Sequence, residues 1–285
     1  MHQNRPSLTA WAVALRRAAH QFIDDPLVLE DSLAVQIVGR TAVQDSIAKE
    51  NTQGDLYRTF SRSLRAAVVA RSRFAEDQLA IAHAAGIRQY LILGAGLDTF
   101  AHRNPFPSVR VFEVDHPATQ QWKRRLLHGA SITSPANLTF VPVDFERESL
   151  ARRLDDSGFN PSQPAFISML GVVPYLALAA FRQTLSFFAS LPKSTQFTFD
   201  YASDPDDLGI KERAAFDMLA QRVKAAGEPF KLMLRPQKMH AEINAAGIST
   251  ILDLSSLQMN ARYFQDRADG FQILGTIGRF LTATV

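Results

Sequence analysis

The stretch QYLILGAGLDTF, which runs from Gln89 to Phe100, decides the fold class. Its first five residues form a short apolar run typical of a buried parallel strand, and a glycine-bearing turn follows at once. Similar runs recur at 109–114, 138–143, 165–169, 196–201, 250–254 and 271–283, with helices expected over 74–85, 117–128, 146–155, 177–190 and 237–246. This alternation predicts an α/β fold with a doubly wound, mostly parallel seven-stranded sheet.

Two additions to this sheet domain are expected. Residues 1–70 are predicted to form an N-terminal helical lid element, and 71–285 the sheet domain itself. Within the latter, 203–235 are charged and helix-like, with glycine and proline punctuation, and are predicted to be a helical cap insertion. Open α/β sheets bind ligands at the carboxyl ends of their strands, so the site is expected in the loops after the strands.

Composition excludes several classes of protein. The 285 residues include 46% hydrophobic and 21% charged side chains with a net charge of +3, which is typical of a globular chain. The basic residues are scattered, so no nucleic-acid partner is expected. The absence of cysteine excludes disulfides and thiol nucleophiles, and no histidine or carboxylate cluster has metal-ligand spacing, so no metal is expected. The N-terminus lacks a signal-peptide core, and Gly171 and Pro174 break the longest uncharged run. These features predict a cytoplasmic protein without a membrane span.

The turn from Gly94 to Thr99 has the position of a cofactor-binding turn. Its small residues let backbone N–H groups approach a ligand closely. A dinucleotide fingerprint has a third glycine where Thr99 stands, and Asp98 would repel a phosphate. These two residues disfavour the alternative of an NAD(P)-dependent oxidoreductase and suit a cofactor that presents a cation, although a tight turn without a ligand remains open.

Acidic residues end the next two predicted strands. Glu113 and Asp115 close the second one, and Asp115 lies 19 residues beyond Gly96, about the spacing at which a carboxylate accepts both ribose hydroxyls. Asp144 and Phe145 end the third, where a carboxylate and an aromatic ring suit an adenine. Both aspartates are also suited to cap the helices that follow. Together they favour a nucleoside cofactor whose attached group is not phosphate.

With these features the sequence resembles the leucine carboxyl methyltransferase-like family of S-adenosylmethionine-dependent methyltransferases. It is most similar to a bacterial branch of O-methyltransferases that includes enzymes acting on small molecules such as polyketide acids. The matching segments are SLTAWAVALRRA (7–18), DPLVLEDSLA (25–34), ARSRFAED (70–77), LILGAGLDTFAHR (91–103), VFEVDHPATQQWK (111–123), VDFERESL (143–150), LGVVPYL (170–176) and RYFQDRADG (262–270).

The resemblance implies a class I, Rossmann-like methyltransferase fold with S-adenosylmethionine as cofactor and S-adenosylhomocysteine as product. It implies that Arg71 pairs with the methionine carboxylate, although an R-x-R pattern alone fits a solvated helix face. Leu170 stands where the protein-phosphatase-methylating members have a glutamate, which argues against that subgroup. The expected cofactor-binding residues are Arg71, Gly94, Ala95, Gly96, Asp98, Glu113, Asp115, Asp144, Phe145 and Leu170.

The resemblance also implies transfer of the methyl group to an oxygen of a small-molecule acceptor. A carboxylate is already anionic at neutral pH, whereas a hydroxyl usually needs a general base. Only His102 and His116 lie near strand-end loops, and neither is a compelling base, so a carboxylate acceptor is predicted. Methylation of a hydroxyl, and a non-catalytic cofactor-binding protein with this fold, remain alternatives.

The acceptor-side residues are predicted from position and charge. Tyr175 and Tyr201 follow or end predicted strands and are expected to be catalytic, although both are equally suited to packing. An acidic acceptor needs a cation to position it. The candidates are Arg16 and Arg17 near the N-terminus, and Arg262 and Arg267 near the C-terminus.

Overall fold

The computed structural model describes residues 7–144 and 148–285, which contain ten α-helices and seven strands. The strands are β1 (Gln89–Leu93), β2 (Arg110–Asp115), β3 (Leu138–Pro142), β4 (Phe166–Met169), β5 (Gln196–Ala202), β6 (Ser249–Ser255) and β7 (Gly278–Thr284). The helices are α1 (Leu8–Ile23), α2 (Ser32–Val38), α3 (Arg40–Asn51), α4 (Asp55–Ala84), α5 (Pro117–Gly129), α6 (Leu150–Asp155), α7 (Leu178–Ala189), α8 (Ile210–Ala225), α9 (Pro236–Ala245) and α10 (Ser256–Tyr263). Short 3-10 turns cover 100–102, 173–175 and 205–207.

The strands form one sheet in the order β3-β2-β1-β4-β5-β7-β6. Strands β1 to β5 are parallel, whereas β7 runs antiparallel to both β5 and β6. The predicted doubly wound, mostly parallel seven-stranded sheet is therefore confirmed. The strand order reverses between β1 and β4, which is the point where open α/β sheets bind their ligands.

Helices cover both faces of the sheet. On one face, Phe112, Phe197 and Phe199 pack with residues of α7 and α9 in the largest apolar cluster. On the other face, residues of β1 and β2 pack against Leu79 and Ala82 of α4. A separate cluster joins α1, α2 and α5 around Leu97. The N-terminal helices therefore pack directly onto the turn after β1.

Two predicted elements differ in extent from those observed. The helix expected over 74–85 is the end of the 30-residue helix α4, so the predicted boundary at 70/71 falls inside a continuous helix. The strand expected over 271–283 begins only at Gly278. The reason is local, because the Asn260 side chain bonds both the N–H and the carbonyl of Ile273, at 2.9 and 2.8 Å, where a strand partner would bond them.

The helix expected over 146–155 is observed as α6, and residues 146 and 147 lie outside the described part. Residues 203–235 contain a 3-10 turn and α8, as expected of a helical insertion. The lid and cap roles of 1–70 and 203–235 stay predictions. Across 7–144 and 148–285, no helix is long and apolar enough to cross a bilayer.

Candidate active site

The turn after β1 and the end of β2 are joined by hydrogen bonds. Gly94 and Ala95 donate their N–H groups to the carbonyl of Val114, at 2.8 and 3.1 Å. The Asp115 carboxylate accepts from the Gly96 N–H at 2.5 Å and from the His116 N–H at 2.6 Å. Because a carboxylate has about four lone-pair positions, these two bonds leave Asp115 able to accept two further donors.

Close packing on both sides of this turn requires its glycines. Gly94 has φ +67°, and a Cβ there would lie 2.4 Å from Cγ2 of Val172 in the loop after β4. Gly96 has φ +49°, and its Cβ would lie 3.1 Å from Cβ of Ala10 in α1. The turn is therefore enclosed between the loop after β4 and the N-terminal helix.

Arg17 and Asp98 stabilise the turn from inside the protein. The buried Arg17 guanidinium donates to the Leu97 carbonyl at 2.5 Å and lies 3.1 Å from Asp31. Asp98 accepts from the Phe100 N–H at 2.7 Å. Burial acts to raise the Asp98 pKa, but Arg17, Lys123 and Arg103 outweigh burial and lower it. Asp98 therefore holds a negative charge beside the turn, and Arg17 is engaged in holding the turn in place.

A buried ion pair lies beneath Asp115. Glu113 precedes it by two residues on the same face of β2, and Oε2 of Glu113 lies 2.5 Å from Nζ of Lys123 in α5. Both side chains are almost fully buried. Burial raises the Glu113 pKa to about 7 despite the attraction of Lys123. Because the Glu113 side chain is bonded to Lys123 inside the protein, it lies beneath Asp115 and supports the site from below.

His102 belongs to the same buried region. Its ring nitrogens are buried and have no hydrogen-bond partner in the described part of the chain. Burial, together with repulsion from Lys123, lowers the His102 pKa from 6.5 to about 4, although Asp98 opposes the shift. His102 therefore stays neutral at physiological pH.

This shift predicts a pH dependence of folding. Between pH 6.5 and pH 4 the unfolded chain binds a proton at His102, whereas the folded protein does not. The free energy of unfolding therefore keeps its full contribution from neutral His102 above pH 6.5 and loses it as the pH falls toward 4. Denaturant midpoints measured from pH 7 to pH 4 should fall more steeply for wild type than for His102→Gln, which cannot titrate. Parallel profiles would contradict a neutral, buried His102.

A second cluster lies where β4 and β5 end. Nη1 of Arg71 in α4 lies 3.0 Å from Oδ2 of Asp200, and Oδ1 of Asp200 accepts from the Gly171 N–H at 2.5 Å. Gly171 has φ +66°, and a Cβ there would lie 2.7 Å from the Arg71 guanidinium. The sequence reasoning missed Asp200, although an acid near the end of a predicted strand is the signal that identified Asp115.

Tyr175 lies beside this cluster, under the segment that follows α8. Its ring centroid is 5.3 Å from that of Phe230, which stacks on Phe216 of α8 at 5.7 Å. The Pro174 carbonyl accepts from the N–H groups of Lys231 and Leu232, at 2.7 and 3.1 Å. Burial raises the Tyr175 pKa to about 12, although nearby Arg71 lowers it, so this hydroxyl is a hydrogen-bond donor at neutral pH. The segment after α8 is thereby fastened over Tyr175.

Thr9 of α1 donates a hydrogen bond to Glu228, which also lies in the segment after α8. Residues that are 219 positions apart in sequence are joined by this contact. The N-terminal helix and the predicted cap therefore meet above the carboxyl edge of the sheet.

Tyr201 does not join this site. It follows Asp200, and side chains alternate across a strand, so its ring lies on the opposite face in the largest apolar cluster. Its hydroxyl donates to Asp253 at 2.8 Å, and Asp253 is also bound by His240 and Arg279. The geometry therefore gives Tyr201 a packing role, which corrects the expected catalytic one.

The other predicted residues are distributed as follows. Leu170 is a half-buried residue directly after β4, and Asp144 lies two residues beyond β3, where its N–H donates to Glu148 at 2.9 Å. Phe145 lies outside the described residues. Arg262 lies over the Phe74 ring in α4, and Arg267 pairs with Asp269 at 2.8 Å and donates to the Pro26 carbonyl. Within 7–144 and 148–285, no hydrogen bond, salt bridge or ring contact joins either arginine to Tyr175, Arg71 or Asp200.

Comparison with known proteins assigns the family. The family model described as leucine carboxyl methyltransferase matches residues 10–189. The chain belongs to the leucine carboxyl methyltransferase family. A protein of Bacillus subtilis (strain 168), named as an S-adenosyl-L-methionine-dependent methyltransferase, is 32% identical over 298 residues, which cover 97% of each chain. A protein of the same name from Mycobacteroides abscessus is 36% identical over 174 residues, 60% of this chain and 56% of its own.

Solved structures support the fold of this family member. A protein of Thermobifida fusca YX named as a methyltransferase aligns with a TM-score of 0.59 at 16% identity, covering 98% of this chain and 95% of its own. A DUF574 family protein of Streptomyces avermitilis aligns with a TM-score of 0.59 at 15% identity, covering 96% of each chain. At these identities the structural likeness shows the fold alone.

The residues at the carboxyl edge fit the family's cofactor chemically. Asp115 presents carboxylate oxygens that suit ribose hydroxyls, and Arg71 uses one of its five N–H donors on Asp200, which leaves others for a carboxylate. The turn between them is held at the carboxyl edge by close packing, because Val172 and Ala10 occupy the space where Cβ atoms of Gly94 and Gly96 would lie. Among the residues described, no group of three histidines or carboxylates is placed to hold a metal ion.

Proposed function

We propose that this methyltransferase transfers the methyl group of S-adenosylmethionine to a carboxylate oxygen of a small organic acid. The family supplies the cofactor and the reaction class. The observation that carries the choice of acceptor is the Tyr175 hydroxyl, which burial keeps protonated, and the carboxylates near it, Asp200 and Glu228, are both engaged in hydrogen bonds. A protonated donor without a free base beside it suits an acceptor that is already anionic.

The cofactor residues act by binding and orienting. We propose that Asp115 accepts hydrogen bonds from the ribose hydroxyls, and that Arg71, oriented by Asp200, binds the methionine carboxylate. Gly94, Ala95 and Gly96 would line the methionine moiety. Asp144 and Phe145 would hold the adenine, as the family resemblance implies. S-adenosylmethionine supplies an electrophilic methyl group on a positively charged sulfur.

The acceptor needs positioning more than activation. One carboxylate oxygen forms the new O–C bond while the electrons of the broken S–C bond stay on sulfur, so the products are a methyl ester and a thioether and no proton moves. Holding the two reactants in line can contribute roughly 7–11 kcal/mol toward lowering the barrier. Tyr175 would donate to the other carboxylate oxygen, and Thr9 with Glu228 would help to exclude water.

His116 is not placed to act as a general base for a hydroxyl acceptor. Its Nδ1 accepts from the Ala118 N–H at 3.2 Å and so caps α5. Near Tyr175, Asp200 is bonded to Arg71 and Gly171, and Glu228 is bonded to Thr9. These engaged carboxylates favour an acceptor that needs no proton removed.

The chemical stability of the product tests this proposal. Wild-type protein is incubated with methyl-labelled S-adenosylmethionine and panels of small carboxylic acids and phenols, and the product is treated with mild alkali. We expect the label to leave as methanol, because esters hydrolyse and aryl ethers do not. Label that survives alkali would contradict a carboxylate acceptor, and Asp115→Ala serves as the control without transfer.

A further inference from the structure

Arg16, a predicted acceptor-side arginine, is electrostatically coupled to Arg222 of the predicted cap. One of its Nη atoms donates to the Ala12 carbonyl of its own helix at 2.8 Å. Its Nε is buried and has no hydrogen-bond partner within 7–144 and 148–285. Burial lowers the pKa of Arg16, and repulsion by Arg222 and Arg65 adds to this, although Tyr57 and Glu50 partly offset it. Arg16 as a whole is half-buried, but a buried N–H donor such as its Nε is costly to leave unpaired unless an acceptor completes it.

The neighbouring carboxylates are engaged elsewhere. Glu50 accepts from Nη1 of Arg65 at 3.3 Å and from the Ser61 hydroxyl at 2.7 Å. Asp24 binds Arg65 through both oxygens, at 2.8 and 3.1 Å. In the part of the chain that the structure describes, neither Arg16 nor Arg222 has a carboxylate within salt-bridge distance. Among the described residues, the guanidinium groups of half-buried Arg16 and exposed Arg222 therefore carry positive charge that no salt bridge neutralises.

This positive charge extends toward the Tyr57 end of α4, away from Arg71. Tyr57 and Arg71 are both in α4 and 14 residues apart, which separates them by roughly 21 Å along the helix. Arg222 of α8 lies over the Tyr57 ring, 4.7 Å from its centroid, and Arg16 is electrostatically coupled to both. Arg16 is also coupled to the Tyr175 hydroxyl. Arg222 over Tyr57 therefore lies away from Arg71, and Arg16 lies between Arg222 and Tyr175 in its electrostatic contacts.

The wall nearer the reacting end is aromatic. Tyr175 and Phe230 are both half-buried, so each ring retains an accessible part, and Phe216 supports Phe230 from behind. Phe216 and Val223 of α8 are both buried. An apolar body fits against this wall.

We propose that Arg16 and Arg222 form a subsite for a second carboxylate, so that the acceptor is a dicarboxylic acid with an apolar or aromatic body. This inference rests on the proposed function. The reacting carboxylate would lie at Tyr175, the body against Phe230, and the distal carboxylate between α1 and the cap. A guanidinium matches a carboxylate through two parallel hydrogen bonds, and two such groups from different elements select for length as well as charge.

Paired ligands test the subsite by calorimetry. Straight-chain and aromatic diacids, and monoacids of the same carbon skeleton, are titrated into protein saturated with S-adenosylhomocysteine. We expect wild type to bind its best diacid roughly tenfold or more tighter than the matched monoacid, because hydrogen bonds to charged groups contribute that much. Arg16→Gln and Arg222→Gln should remove or reduce this preference, and Arg16→Lys should retain part of it.

The control is Lys224→Gln, an exposed residue two positions after Arg222 on the same helix, which should leave the preference unchanged. S-adenosylhomocysteine affinity should also be unchanged in every variant, which establishes that each is folded. The subsite is overturned if no diacid binds more tightly than its monoacid, or if the arginine variants weaken both ligands equally. If no acid of either kind binds or is methylated while S-adenosylhomocysteine binds, the proposed function fails, and the subsite fails with it.

Discussion

Asp115→Ala is expected to bind S-adenosylhomocysteine at least ~100-fold more weakly than wild type. The substitution removes the two proposed hydrogen bonds from the ribose hydroxyls to the Asp115 carboxylate. A hydrogen bond to a charged group contributes about 1.5–3 kcal/mol. The substitution also leaves the N–H groups of Gly96 and His116 without the acceptor that now orients them. The turn would lose its fixed position at the end of β2. Calorimetric titration of both proteins measures the difference.

Asp115→Asn is the matched control for this prediction. The amide keeps one oxygen acceptor and nearly the same shape, so it should retain one backbone contact and bind with intermediate affinity. Thermal melting without ligand separates loss of binding from loss of folding. Equal affinities for wild type and Asp115→Ala would remove Asp115 from the cofactor site.

Lys123→Met is expected to destabilise the protein by about 3–5 kcal/mol at pH 8, because removing one partner of a buried ion pair leaves the other uncompensated. Glu113 would remain buried with Oε1 already unpaired among the described residues. Urea denaturation measures the loss of unfolding free energy. The double variant Glu113→Gln/Lys123→Met removes both charges and should recover most of the loss.

The sign of the pH dependence follows from the raised pKa of Glu113. The stability associated with its protonated form is fully present below pH 4.5 and is lost as pH rises through about 7. Without Lys123 that loss should be larger, so the deficit of Lys123→Met should be small at pH 5 and grow toward pH 8. A deficit that is the same at both pH values, or one that the double variant does not recover, would contradict this account of the pair.

The sheet and its first turn could be predicted from sequence because their signals are local. The apolar run at 89–93 and the glycines that follow it are contiguous, and Asp115 ends the adjacent strand, which brings its carboxylate to the Gly96 N–H. The positions of the later strands along the chain follow from the same alternation of apolar runs and helices. Local pattern is enough where neighbours in sequence become neighbours in space.

The rest of the candidate site depends on contacts between distant residues. Asp200 meets Arg71 across 129 positions, and Glu228 meets Thr9 across 219, so no local pattern marks either pair. The assignment of Tyr201 failed for a different reason. One residue along a strand moves a side chain to the other face, and sequence alone did not fix whether Asp200 or Tyr201 faces α4.

Arg17 and Arg16 show how burial separates adjacent charges. They occupy neighbouring positions on α1, yet Arg17 points inward to Asp31 and Leu97 while Arg16 lies toward α4 and α8. A helix turns by about 100° per residue, so adjacent arginines face different surroundings. The packing of α2 and α8 around α1 determines that the Arg17 guanidinium is engaged by the protein and that Nε of Arg16 is left for a ligand.

Titration of S-adenosylhomocysteine into the wild-type protein is the decisive measurement for the cofactor site. We expect saturable one-to-one binding in the micromolar range and a rise in melting temperature with ligand concentration. A folded protein that shows neither heat of binding nor any change in melting temperature would contradict the assignment of this site.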